Sequence, residues 1–149
     1  MGFQSSAATV SEGCAMSLIK WINFQTLGDE RGSLISIEQG KVIPFEIKRV
    51  YYIYRTAEGV SRGFHAHRNL RQVAICLAGK CRMVLDNGIT REDVWLDCAT
   101  KGILIEGGMW REMHDFSEHC ILLVLASALY DESDYIRDYD EFLAVARER

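Results

Sequence analysis

Two histidines one residue apart, His65 and His67 in the run Arg62-Gly63-Phe64-His65-Ala66-His67, form the most chemically loaded pair in the chain. In an extended strand successive side chains alternate between faces, so both imidazoles point the same way, with Arg62 close by at the strand's start. An imidazole titrates near neutrality and can take a proton and hand it back. Two of them facing one cavity suit general acid–base work, above all proton removal next to a carbonyl.

Other side chains are of the types that hold a sugar joined to a diphosphate. Tyr51, Tyr52, Tyr54, Trp110 and Tyr139 offer faces for a base or a pyranose ring. Tyr52 and Tyr54 alternate with Tyr51, so the three cannot share one pocket. Arg31, Arg62, Lys80, Arg82 and Arg111 are the candidate diphosphate partners, a task for which the forked guanidinium is well shaped.

These groups need a rigid frame, and the chain supplies a β-rich one. Short β-branched and aromatic runs at 19–24, 33–38, 42–54, 63–67, 72–77, 80–86, 92–96, 102–106 and 120–126 read as strands. Asp86-Asn87-Gly88 and Ala78-Gly79 are tight-turn signals between them. Many short strands without intervening helices predict an all-β barrel or sandwich. Asp131-Glu132-Ser133-Asp134 supplies capping residues, and Asp138 to Arg147 reads as a short amphipathic helix burying Phe142, Leu143 and Val145.

At 149 residues and 48% hydrophobic content the chain can bury one core, so a single domain over 17–149 is expected, preceded by a flexible extension at 1–16. A formal charge of −4 and the lack of a polybasic run argue against nucleic acid and membrane surfaces as partners. Cys14, Cys76, Cys81, Cys98 and Cys120 form no CxxC pair and lie mostly in apolar runs, which predicts reduced thiols and a cytoplasmic location.

The spacing Gly59, His65, His67, Gln72, Gly79 resembles the first motif of the cupin superfamily, with Gln72 where a glutamate usually stands. In metal-binding cupins that glutamate, both histidines and one histidine of a second motif hold a divalent ion. Here the second motif places Met113 at the ligand position and His114 one residue out of register, pointing to the other face unless a bulge intervenes. The expectation is no metal and no other cofactor.

The stretches RGFHAHRNLRQVAICLAGKCRMVLDNG, GGMWREMHDFS and VLASALYDESDYIRDYDEF together resemble the dTDP-4-keto-6-deoxyglucose 3,4-ketoisomerases, a sugar-ketoisomerase branch of the cupins, over nearly all of residues 17–142. Asp29-Glu30-Arg31-Gly32 also resembles a D-x-R-G loop of nucleotide-sugar epimerases. The resemblance implies a cupin (jelly-roll) β-barrel with a short C-terminal helix and a homodimer that exchanges an N-terminal strand. The implied ligand is a dTDP-linked 4-keto-6-deoxy sugar, whose 3-keto product an aminotransferase then takes toward a 3-amino-3,6-dideoxy sugar. It implies His65, His67 and Tyr51 as catalytic residues, and Arg31, Arg62, Gln72, Lys80, Arg82, Trp110, Arg111 and Tyr139 are the substrate contacts expected beside them.

One imidazole removes the C3 proton, an enediolate forms, and a proton returns to C4; spacing does not say which histidine acts. Some family members carry histidine after the tryptophan where this chain has Trp110-Arg111, a departure that favours the gluco product slightly and leaves the galacto epimer open. A 3,5-epimerase on the same sugar and a nucleotide-sugar-binding cupin without activity are the competing readings. Product analysis separates them.

Overall fold

Strand formation follows the alternation of inward apolar and outward polar residues, and the structure, a computed structural model, describes residues 16–149. The extension expected at 1–16 therefore lies outside the described residues, apart from an exposed Met16. Twelve strands and one helix follow in chain order. They are β1 (Lys20–Asn23), β2 (Leu27–Asp29), β3 (Gly32–Leu34), β4 (Arg49–Tyr54), β5 (Arg62–His67), β6 (Gln72–Ala78), β7 (Cys81–Asp86), β8 (Arg91–Leu96), β9 (Lys101–Ile105), β10 (Trp110–His114), β11 (Ile121–Ala126), β12 (Tyr135–Ile136) and α1 (Tyr139–Arg147).

Two antiparallel five-stranded sheets, ordered β1-β9-β6-β11-β4 and β12-β5-β10-β7-β8, enclose the core, and β2 pairs with β3 as a separate hairpin. This is the all-β cupin-type architecture that the sequence predicts. Ala74, Cys76, Met83, Leu85, Ile103, Met113, Leu122 and Val124 fill the space between the sheets. The turn at Asp86-Asn87-Gly88 joins β7 to β8, with Asp86 Oδ1 accepting from Gly88 N at 2.7 Å and Asn87 Oδ1 accepting from Thr90 N at 2.8 Å.

Three strand expectations need correction, the first being the run at 33–38, which is strand only to Leu34. The run at 42–54 is strand only from Arg49, because Pro44 has no N–H to give a ladder. The apolar residues of 35–47 instead lie across the outside of the first sheet, where Ile35, Ile37, Ile43, Phe45 and Ile47 cover Val73, Ile75 and Leu125. Conversely β10 reads as polar in sequence yet forms a central strand, with Arg111 and Glu112 both buried.

Helix α1 begins after Asp138, whose side chain accepts from Glu141 N at 2.8 Å. Its Phe142 is fully buried against Ala66, Trp110 and Ile136, which clamps β12 onto β5. Phe142→Ala therefore costs about 3 to 5 kcal/mol of stability, the usual range for an aromatic cavity. Urea unfolding followed by circular dichroism measures it. A loss within 1 kcal/mol would mean that the helix is not anchored by this ring.

Candidate functional site

The strand that carries the histidines is bent by two consecutive residues with left-handed backbone, Gly63 (φ +89°) and Phe64 (φ +56°). A Cβ on Gly63 would lie 3.0 Å from Arg111 O and 3.2 Å from Glu112 Cα, so the close approach of β10 requires glycine here. The register confirms a bulge: Arg111 pairs with His65 and Glu112 with Gly63, leaving Phe64 as the extra residue. Its consequence is a change of parity. Arg62, three residues from His65, lines the same cavity as His65.

That cavity, of about 310 Å³, is walled by Arg49, Tyr51, Arg62, His65, Tyr135 and Arg137. His67, only 1% exposed, lies behind it and borders a second cavity of about 290 Å³ that shares Arg49 and Tyr135 with the first. The two imidazole rings meet edge to face with centroids 5.0 Å apart, and Tyr135 touches both, at 4.9 Å from His65 and 4.3 Å from His67.

Hydrogen-bond partners fix the tautomers. His65 Nδ1 faces Gly63 O at 3.1 Å and His67 Nδ1 faces Asp134 Oδ2 at 3.2 Å; both oxygens accept only, so each Nδ1 carries the hydrogen. Each Nε2 is thereby left with a lone pair. Asp134 is itself held by Asn69 N at 2.9 Å and Leu70 N at 3.2 Å.

Burial and then the nearby Arg111 charge lower both imidazoles, His65 to about 4 and His67 in the same direction. Both are neutral bases at physiological pH. Below about pH 6.5 the unfolded chain binds protons that these native imidazoles refuse, so their contribution to stability is full above that pH and is lost as pH falls toward 4. Urea midpoints measured at pH 7.5 and 5 check this. The decline is smaller in His65→Asn than in wild type.

Beneath the cavity, Arg111 Nη1 donates to Gln72 Oε1 and its Nη2 donates to Met109 O at 3.0 Å. Gln72 Nε2 donates in turn to Tyr51 Oη at 2.9 Å. Because Tyr51 accepts that bond, its own hydroxyl hydrogen is free to be given into the cavity. Burial raises the Tyr51 pKa and Arg111 opposes the rise, so the phenol is protonated. Burial brings Arg111 down to about 10, which leaves it a cation at neutral pH.

The structure thus gathers His65, His67, Tyr51, Arg62, Gln72 and Arg111 at one end of the barrel, with Gln72 and Arg111 under the cavity rather than on its wall. Five expected contacts stand elsewhere. Arg31, on the exposed β2–β3 turn, pairs with Asp29 at 2.6 Å. Lys80 lies over the Trp95 ring at 5.2 Å, and Arg82 pairs with Asp115 at 2.8 Å. Trp110 and Tyr139 pack together under α1, with the indole N–H on Glu112 and the Tyr139 hydroxyl on Asp86. The cause is alternation along β10: Arg111 and Met113 point into the barrel, Trp110 and Glu112 toward the helix.

His114 follows Glu112 outward, bonding Ser61 Oγ at 2.8 Å and Glu112 Oε1 at 3.0 Å. Sequence reasoning missed Arg49, Asp134, Tyr135 and Arg137. Arg49 was readable, since it shares the inward face of β4 with Tyr51.

Those donors fit a divalent ion poorly. Gln72 already spends its oxygen on Arg111, and the guanidinium sets a fixed positive charge close enough to depress both imidazoles.

Comparison with known proteins shows the family. The family described as FdtA: WxcM-like, C-terminal matches residues 17–147. The TDP-4-oxo-6-deoxy-alpha-D-glucose-3,4-oxoisomerase of Aneurinibacillus thermoaerophilus is 53% identical over 123 residues, covering 83% of this chain and 88% of its own. The WlaRB TDP-quinovose 3,4-ketoisomerase of Campylobacter jejuni superposes with a TM-score of 0.82 at 48% identity, covering 87% of this chain and 99% of its own. A histidine-to-asparagine variant of the QdtA 3,4-ketoisomerase from Thermoanaerobacterium thermosaccharolyticum, in complex with TDP-4-keto-6-deoxyglucose, superposes with a TM-score of 0.87 at 41% identity, covering 91% of this chain and 98% of its own.

Proposed function

The chain belongs to the FdtA (WxcM-like, C-terminal) family and is an isomerase, and from that membership we propose that it converts TDP-4-keto-6-deoxyglucose to the 3-keto sugar without a metal. The observation that carries the mechanism is the pair of neutral imidazoles with free Nε2 lone pairs, one of them opening on a cavity that a protonated tyrosine shares. His65 is the group that removes the C3 proton, since it lines the cavity that Tyr51 shares while His67 borders the neighbouring one. Negative charge then grows on O4 of the enediolate, where the free Tyr51 hydroxyl hydrogen stabilises it. A proton returns to C4, the proton of the C3 hydroxyl passes to O4, and the ketone has moved.

His67 and Asp134 hold the ring stack that aims His65. The guanidinium groups of Arg49, Arg62 and Arg137 around the cavity suit a diphosphate, and the buried Arg49 Nε lacks a protein partner. The gluco product is favoured because quinovose, the sugar of the Campylobacter relative, has that configuration. In it the C3 and C4 hydrogens lie on opposite ring faces, which calls for a second proton carrier besides His65. Tyr51 lines the same cavity.

A 3-amino-3,6-dideoxy sugar is the expected end of the pathway, in a reducing compartment. A homodimer with an exchanged N-terminal strand is supported by the exposed Val50, Tyr52 and Tyr54 on the edge strand β4.

Proton NMR of EDTA-treated enzyme with TDP-4-keto-6-deoxyglucose tests the reading. In deuterated water a 3-keto sugar appears with deuterium at C4, and in ordinary water a large H4–H5 coupling marks the gluco epimer. Exchange at C3 and C5 with the ketone still at C4 would instead make the protein an epimerase. Turnover only after metal is restored defeats the metal-free mechanism.

A further inference from the structure

Gln72, Ala74 and Cys76 share the inward face of β6, so Cys76 lies about 13 Å along the strand from the histidine end. Cys81 opens β7 and Cys120 directly precedes β11. The β6–β7 turn is pinned against that last segment: a Cβ on Gly79 would stand 2.3 Å from Ser117 Oγ and 2.9 Å from Cys120 Cα. The three cysteines are at most 3% exposed. Their sulfur atoms all lie within 4.8 Å of one another, with Cys76 Sγ and Cys120 Sγ 3.7 Å apart.

Three sulfurs in a plane around one ion at metal–sulfur distances of about 2.3 Å stand about 4.0 Å from each other. The cluster already has nearly that spacing on a rigid β frame. We propose that Cys76, Cys81 and Cys120 form a buried three-sulfur site for a thiophilic d10 cation of the copper(I) class.

Coordination number decides the class. Among the described residues no histidine, aspartate or glutamate joins the three sulfurs, so the donor set is soft and three-fold. Soft thiolates select copper(I) or zinc, and structural zinc takes four ligands. The arriving cation displaces the thiol protons, and the sulfurs bind it as thiolates.

The three cysteines belong to the same buried apolar cluster as Met83, Leu85, Leu96 and Leu122. Entry is short. Cys76 Sγ lies 3.1 Å from Ala78 O and 3.4 Å from Gly79 O, and Gly79 is exposed.

The test uses the full chain with the other two cysteines, Cys14 and Cys98, changed to serine, loaded anaerobically with copper(I) and challenged with bicinchoninate. The proposal requires one retained equivalent per chain, three sulfur neighbours in X-ray absorption, and a raised melting temperature. Cys76→Ala and Cys120→Ala each weaken retention at least tenfold, with circular dichroism reporting their folding. Loss of copper to the chelator, retention unchanged in Cys76→Ala/Cys120→Ala, or a linear two-sulfur absorption edge overturns it. Should a variant not fold, the absorption spectrum of the intact cluster decides alone.

Discussion

His65→Asn lowers kcat by about a thousandfold, the middle of the range for loss of a general base. Asparagine can still donate to Gly63 O as the imidazole does, so the bulge at Phe64 and the shape of the cavity survive. What disappears is the Nε2 lone pair. TDP affinity, read by calorimetry, stays within a few-fold of wild type, and the circular dichroism spectrum is unchanged. His67→Asn also slows turnover, but it loses the bond to Asp134 and so loses stability as well. If the His65 variant keeps a tenth of the activity and the His67 variant keeps none, the proton is removed by His67 and the roles are reversed.

Arg111→Met lowers kcat by about a hundredfold with a small change in KM, although the guanidinium lies below the cavity and not on its wall. Methionine approximates the volume but breaks the relay from Arg111 through Gln72 to Tyr51, leaving the Gln72 oxygen buried and unpaired. The Tyr51 hydroxyl becomes a weaker acid once the charge that opposed its rise is gone. The pH profile separates this from simple misfolding. Arg111 depresses His65 and His67, so removing it lets both imidazoles rise and moves the acid limb of kcat/KM upward from about pH 4 toward neutrality. An acid limb that stays in place refutes the electrostatic role. Arg111→Lys does not rescue, because one ammonium cannot serve Gln72 and Met109 O in the same geometry.

What could be read from the sequence was whatever depends on neighbours along the chain. The i, i+2 pair His65 and His67, the alternation that separates Tyr52 and Tyr54 from Tyr51, the turn at Asp86-Asn87-Gly88 and the helix from Asp138 are local patterns, whereas the cap of that helix is Asp138 and not the expected run Asp131 to Asp134. The positions of basic residues chosen by type depend on contacts that the chain order does not show. Lys80 and Arg82 stand where solvent and surface carboxylates hold them, because a positive charge has no preference between a diphosphate and Asp115 until the strand's face is known. Strand β10 escaped notice because its buried Arg111 and Glu112 each need a partner from another element, Gln72 for one and Arg91 for the other. Asp134 was invisible as a partner for His67 for the same reason, since only the fold brings the two together.

Strand β5 owes one of its two neighbours, β12, to residues made after nearly all the rest of the barrel. On a ribosome adding about 5 to 20 residues per second, the histidine strand is complete several seconds before Asp134, Tyr135 and Ile136 emerge to cover it. The histidine site is thus assembled late, from two stretches far apart in the chain. A fragment released near residue 130 keeps both histidines but lacks the carboxylate that orients one and the ring that stacks on both. Translation halted between the two stretches leaves the imidazole pair uncovered by β12.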